Sequence, residues 1–108
     1  MAKKVDSGII AIAEKYADEV KRHYHVDEVI LFGSFAKGGQ HKDSDIDIAV
    51  VSDDIVNASS ERLNLMRYRR NIDLRIEPHL VSTVDYRRVE NPFIAEIVKT
   101  GIRIGGAV

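Results

Sequence analysis

The sequence predicts an α/β domain built on a small mixed β-sheet, with helices packed mainly on one face. Two observations carry that expectation. The periodic segments run helix, strand, strand, helix, strand, helix, and no internal repeat, low-complexity tract or linker-like stretch interrupts them. The chain has 108 residues, a length that suits one core, so a single domain over 1–108 is expected. Folding at this size hides roughly 65% of the unfolded surface, and the 44% apolar content suffices to fill such a core.

Each element has its own signal. From Asp6 to Tyr24, Ile9, Ile10, Ala13, Ala17, Val20 and Tyr24 recur at three- and four-residue spacing among charged residues, which predicts an amphipathic helix. Val26 to Phe32 holds the apolar run Val29-Ile30-Leu31-Phe32 and ends at Gly33-Ser34, the pattern of a buried strand. Lys37 to Ser44 is polar and glycine-bearing, a loop. Ile46, Ile48, Ala49, Val50 and Val51 then predict a second strand, with Asp45 and Asp47 at alternate positions. Cap residues around Asn57 to Ser60 precede a helix expected from about Ser59 to Arg70. Ile72, Leu74 and Ile76 alternate with Asp73, Arg75 and Glu77, which predicts a third strand from Ile72 toward Val81. Pro78 lacks an N–H and places that strand at an edge. Asn91-Pro92 caps a short helix that ends at Thr100-Gly101, and Ile102 and Ile104 suggest a small terminal strand.

Composition excludes several function classes. Lys plus Arg number 16 against 17 Asp plus Glu, so no global basic field favours long nucleic acid as a partner. Without cysteine there is no disulfide, thiolate zinc site or cysteine nucleophile, and any metal must sit on oxygen or imidazole. No signal peptide and no membrane-length apolar run is visible, so a soluble cytoplasmic protein is expected, and an oligomer is compatible with the sequence. The four histidines, His23, His25, His41 and His79, show no metal-ligand spacing and are set aside as non-catalytic. The arginines at 62, 67, 69 and 70 read as the wet face of a helix rather than as a docking site.

The chemistry concentrates in the middle of the chain. Asp45 and Asp47 stand two apart on a strand, so they share a face with Cα atoms roughly 6 to 7 Å apart. Carboxylate oxygens suit Mg²⁺, and a cation relieves the repulsion between two such groups. A D-x-D pair alone also arises on any solvated strand face. Gly33-Ser34 supplies a turn whose N–H groups and hydroxyl can hold phosphate oxygens, though singly such a pair is more often a plain turn and helix cap. Lys37 is a further nucleotide-binding candidate, while Lys42 reads as solvated.

Gly33-Ser34, ten intervening residues and Asp45-Ile46-Asp47 together resemble the GS-x10-D-x-D signature of DNA polymerase beta type nucleotidyltransferases. With GSFAKG, SDIDIAVV and IDLRIEPH in order along nearly the whole chain, it looks like the minimal nucleotidyltransferase (MNT) group of that superfamily. The resemblance implies the nucleotidyltransferase fold, two Mg²⁺ ions and transfer of a nucleoside monophosphate, AMP from ATP or the equivalent from another triphosphate, with loss of pyrophosphate. It also implies a third carboxylate on a neighbouring strand. Asp73, in the run Ile72 to Ile76, is the first choice, with Glu77 as the alternative or additional acid. MNT proteins are often paired with HEPN-domain toxins, which they adenylylate as antitoxins, so a HEPN partner is implied. A non-catalytic antitoxin that neutralises by contact, and a small-molecule transferase of the antibiotic-modifying type, are the competing readings.

Overall fold

The computed structural model describes residues 6–37, 44–54 and 58–105. Helix α1 spans Ser7–Lys21, and its first turn is capped by Asp6, whose carboxylate accepts the Gly8 N–H at 2.7 Å. Strand β1 (Glu28–Phe32) leads through Gly33 into the four-residue helix α2 (Ser34–Lys37), where a simple turn was expected. Strand β2 is Ile46–Val51, α3 is Ala58–Tyr68 and β3 is Ile76–Val81. Helix α4 (Thr83–Arg88), α5 (Pro92–Thr100) and β4 (Ile102–Arg103) complete the order. Most of the expected loop, including His41 and Lys42, and the cap candidate Asn57 lie outside the described residues.

The sheet is mixed, in the order β3-β2-β1-β4. β1 pairs antiparallel with β2 and β4, while β2 and β3 run parallel. Parallel neighbours need a crossover, and α3 is the helix that provides it. As Pro78 predicts, β3 is an edge strand.

Alternation along β2 sorts its side chains between two cores. Ile46, Ile48 and Val50 join Ile9, Ala13, Tyr16 and Val20 of α1 and Leu65 of α3 in the larger cluster. Ala49 and Val51 point the other way, to Ile30, Phe32, Val81 and the α5 residues Ile94 and Ile97. The two long helices α1 and α3 thus cover one face, and the short α5 covers part of the other. Fully burying an aliphatic side chain stabilises by about 1.5–3 kcal/mol, so the larger cluster is the mechanical base of the domain. The buried Tyr16 hydroxyl donates to the Leu65 carbonyl at 2.6 Å and ties α1 to α3, and burial raises its pKa.

One expected element is corrected. The third strand does not begin at Ile72: residues 69–72 and 74–75 are turns, no regular structure is assigned at residue 73, and β3 starts at Ile76. The N–H groups of Ile72 and Asp73 both reach back to the Arg69 carbonyl, at 2.9 and 3.0 Å, which keeps the chain coiled. The Arg69 guanidinium then bonds the carbonyls of Leu74 and Ile76 at 3.0 and 2.8 Å, fixing the entry into β3. Leu74, which the alternation groups with Ile72 and Ile76, is 66% exposed.

Candidate active site

The site forms where β1 ends and β2 begins. Antiparallel register sets Asp47 opposite Phe32, the last residue of β1, so the following Gly33 lies against the Asp47 side chain. Gly33 has φ of 76°, a backbone region that strongly favours glycine. A Cβ at this position would run into the Asp47 carboxylate. The glycine-serine turn and the D-x-D pair are therefore one packed unit. Ser34 is exposed at the head of α2; Lys37 ends that helix, and its side chain lies outside the described residues.

Parallel register sets Glu77 of β3 directly beside Asp47. Their side chains share the sheet face that α5 leaves partly open. His79, two residues on, takes the same face and places Nε2 3.2 Å from Asp47 Oδ1 and 3.9 Å from Glu77 Oε1. Asp47, Glu77 and His79 each offer a ligand atom within 4.8 Å of the others. Asp45, exposed and one residue before β2, stands close enough to help raise the Glu77 pKa, although it is outside the Asp47, Glu77 and His79 cluster. Side-chain exposure rises from 24% at Asp47 to 49% at Glu77, so the cluster opens to solvent on the β3 side.

The electrostatics are those of crowded acids. The Glu77 pKa is raised, first by loss of water around the carboxyl, then by the bond to Asp45 and the negative charges of Asp47 and Asp45, with His79 opposing. Acids held this close favour either a proton or a cation between them. Three carboxylates and an imidazole on one partly exposed face fit a hard divalent cation that keeps open positions for waters and phosphate oxygens. An aromatic wall flanks the site. The Phe32 ring lies 5.0 Å from His79 and 5.5 Å from Phe93, and Phe93, in the first turn of α5, is 43% exposed.

Asp73 stands apart from this group. It lies in the turn before β3, where Oδ1 accepts the Arg75 N–H at 2.9 Å and Oδ2 accepts Nη2 at 2.8 Å. The alternation of Asp73, Arg75 and Glu77 would put Asp73 and Glu77 on one face of a strand, but no strand exists at residue 73. Sequence reasoning also passed over His79. Glu77 and His79 are two apart in the strand candidate, a spacing that puts both side chains on one face, and that signal was available.

The chain is similar to known proteins in sequence and in fold. Residues 14–106 match the family model described as Polymerase beta, Nucleotidyltransferase. "Putative protein adenylyltransferase MJ1379" of Methanocaldococcus jannaschii is 34% identical over 97 residues, covering 89% of this chain and 93% of its own. A crystal structure of a toxin-antitoxin with AMP-PNP superposes with a TM-score of 0.63 at 26% identity, over 86% of this chain and 72% of that one. A nucleotidyltransferase-like chain of Sulfolobus solfataricus gives 0.64 at 22% identity, over 93% and 87% respectively, a likeness of fold alone. The sequence signature, the sheet that assembles it and the match over most of the chain agree: this protein is an enzyme of the polymerase beta nucleotidyltransferase family.

Proposed function

We propose that this chain is a Mg²⁺-dependent adenylyltransferase that moves AMP from ATP to a hydroxyl group on a partner protein. The partner is a toxin of the HEPN type, for which the chain acts as antitoxin. The observation that carries the catalytic part is the meeting of Asp47 and Glu77 on one sheet face, with Gly33 against Asp47 and the Asp45 charge beside Glu77. The adenylyltransferase name of the archaeal relative and the toxin-antitoxin assembly of the structural relative support the partner.

Asp45, Asp47 and Glu77 would hold two metal ions, which supply charge neutralisation of the triphosphate and make the acceptor hydroxyl easier to deprotonate. Gly33 lets the backbone come close beside the acids, and Ser34 offers its hydroxyl to phosphate oxygens. His79 steadies the Asp47 carboxylate through Oδ1. Glu77, rather than Asp73, is the third acid, because Asp73 is committed to Arg75. Most of the rate gain would then come from positioning and charge stabilisation.

Labelled ATP, Mg²⁺ and the product of the neighbouring gene provide the test. Transfer of label to that protein is expected, with loss in Asp45→Asn, Asp47→Asn and Glu77→Gln and retention in Asp73→Asn. Labelling that survives Asp45→Asn and Asp47→Asn together overturns the catalytic reading. Full neutralisation of the toxin by that double variant would favour contact alone.

A further inference from the structure

The sheet order gives the acid cluster two unlike flanks. Gly33 and Ser34 stand on the β1 side, whereas β3 on the other side is the open edge of the sheet. Along that edge runs a cavity of about 690 Å³, with Asp45 and Glu77 at one end and Arg62, Leu63 and Met66 of α3 in its wall. A second cavity of about 310 Å³ shares Leu63, Met66 and Arg69 and carries the trough on to Arg67, Arg70 and Leu74.

Two features of this trough serve no evident structural purpose. Leu63 and Leu74 are 61% and 66% exposed, although α3 buries Leu65 completely. Arg62, Arg67 and Arg70 have no ion-pair partner among the described residues, and Arg69 spends its guanidinium on backbone carbonyls, which leaves its charge unneutralised. The trough is therefore an apolar strip under a cationic rim that leads to the acids.

We propose that this trough docks an acidic, partly apolar segment of the acceptor protein and delivers its hydroxyl to the Asp45–Glu77 end. The inference rests on the protein-adenylylating reading above and adds where the acceptor binds and what chemistry it carries. In-line phosphoryl-type transfer needs the attacking oxygen opposite the departing pyrophosphate. With the triphosphate on the Gly33-Ser34 flank, the acceptor enters from the β3 flank, where the trough opens. Acidic side chains meet chiefly Arg67 and Arg70, which line the second cavity and not the one that holds Asp45 and Glu77, so the hydroxyl-bearing residue stands several positions from its acidic neighbours.

A binding experiment separates this proposal from catalysis. A fluorescein-labelled random Glu-Tyr copolymer and a Lys-Tyr copolymer are titrated with the full chain, without ATP, and followed by anisotropy. Binding of the Glu-Tyr polymer only is expected, weakening as salt rises. Charge reversal of Arg62, Arg67 and Arg70 together should weaken it at least tenfold, Leu63→Ser should weaken it less, and circular dichroism should show both variants folded. Asp45→Asn should bind at least as well as wild type, although it cannot transfer. No binding of the Glu-Tyr polymer, or binding indifferent to the arginines, overturns the proposal while leaving nucleotide transfer intact. Arginine variants that weaken ATP binding instead would assign the trough to the nucleotide and also overturn it.

Discussion

The two faces of β2 show how one strand serves stability and chemistry in alternate residues. Ile46, Ile48 and Val50 are sealed under α1 and α3; on the other face Ala49 and Val51 are buried too, but Asp47, at the start of the strand, looks out beside Glu77 and His79. Apolar contact rewards the first set, and like-charge crowding strains the second. The sealed face maintains the register that holds the open face together, since a slip of one residue would exchange the two sets. The acids are tolerated because the packed side over-determines where they stand.

That division can be broken one face at a time. Asp47→Asn is expected to cut transfer by about a thousandfold, since several kcal/mol of charge stabilisation depend on the site. In the metal-free protein its Tm should stay level or rise, because a repulsive charge beside Glu77 is gone. Ile48→Ala, at a position with 0% exposure, should do the reverse. A loss of about 2–5 kcal/mol corresponds to a Tm lower by roughly ten degrees or more, with activity per folded molecule retained well below the transition. Thermal melts and single-turnover labelling on both variants check the pair; equal effects on stability would dissolve the contrast.

Gly33→Ala tests the seam between the faces. The positive φ and the collision with Asp47 together should cost about 1–3 kcal/mol of stability. Relief of that collision displaces a carboxylate, so Mg²⁺ affinity measured by calorimetry should fall by more than the stability loss explains.

The fold was legible wherever local chemistry sets it. β2 runs over the residues that its apolar run marks, and α5 has the Asn91 cap, the first-turn proline and the Gly101 end that the sequence announces. The stretch from Ile72 to Arg75 misled because its alternation mimics a strand, while Arg69, reaching past it to two carbonyls, coils the backbone. Helix α4 went unread although Ser82 and Asp85 carry a capping signal, with the Ser82 hydroxyl accepting the Asp85 N–H at 3.1 Å. In the site, the spacing singled out Gly33 and Asp47, which the structure packs against each other. Glu77 stood in the sequence only as the alternative third acid and His79 not at all, because their meeting with Asp47 depends on the pairing of β2 with β3, which no local pattern encodes.

The smallest effect bears on the acid that the sequence favoured. Asp73 is mostly buried and accepts three hydrogen bonds from Arg75, through its N–H, Nε and Nη2. The Arg75 guanidinium in turn lies 5.9 Å from the centre of the Phe35 ring, so the pair braces the turn against α2. The bonds from the Arg75 side chain lower the Asp73 pKa below its ordinary 3.8, with burial opposing. A lowered folded-state pKa means that the stabilisation is fully present above the unfolded value and disappears as pH falls through the folded one. Asp73→Asn should therefore cost about 1 kcal/mol at neutral pH. The gap to wild type in denaturant melts should stay constant down to about pH 5 and close as acid is added past 3.8. Transfer of label should survive, because this carboxylate braces a turn; a variant that melts like wild type but no longer transfers would return Asp73 to the metal site in place of Glu77.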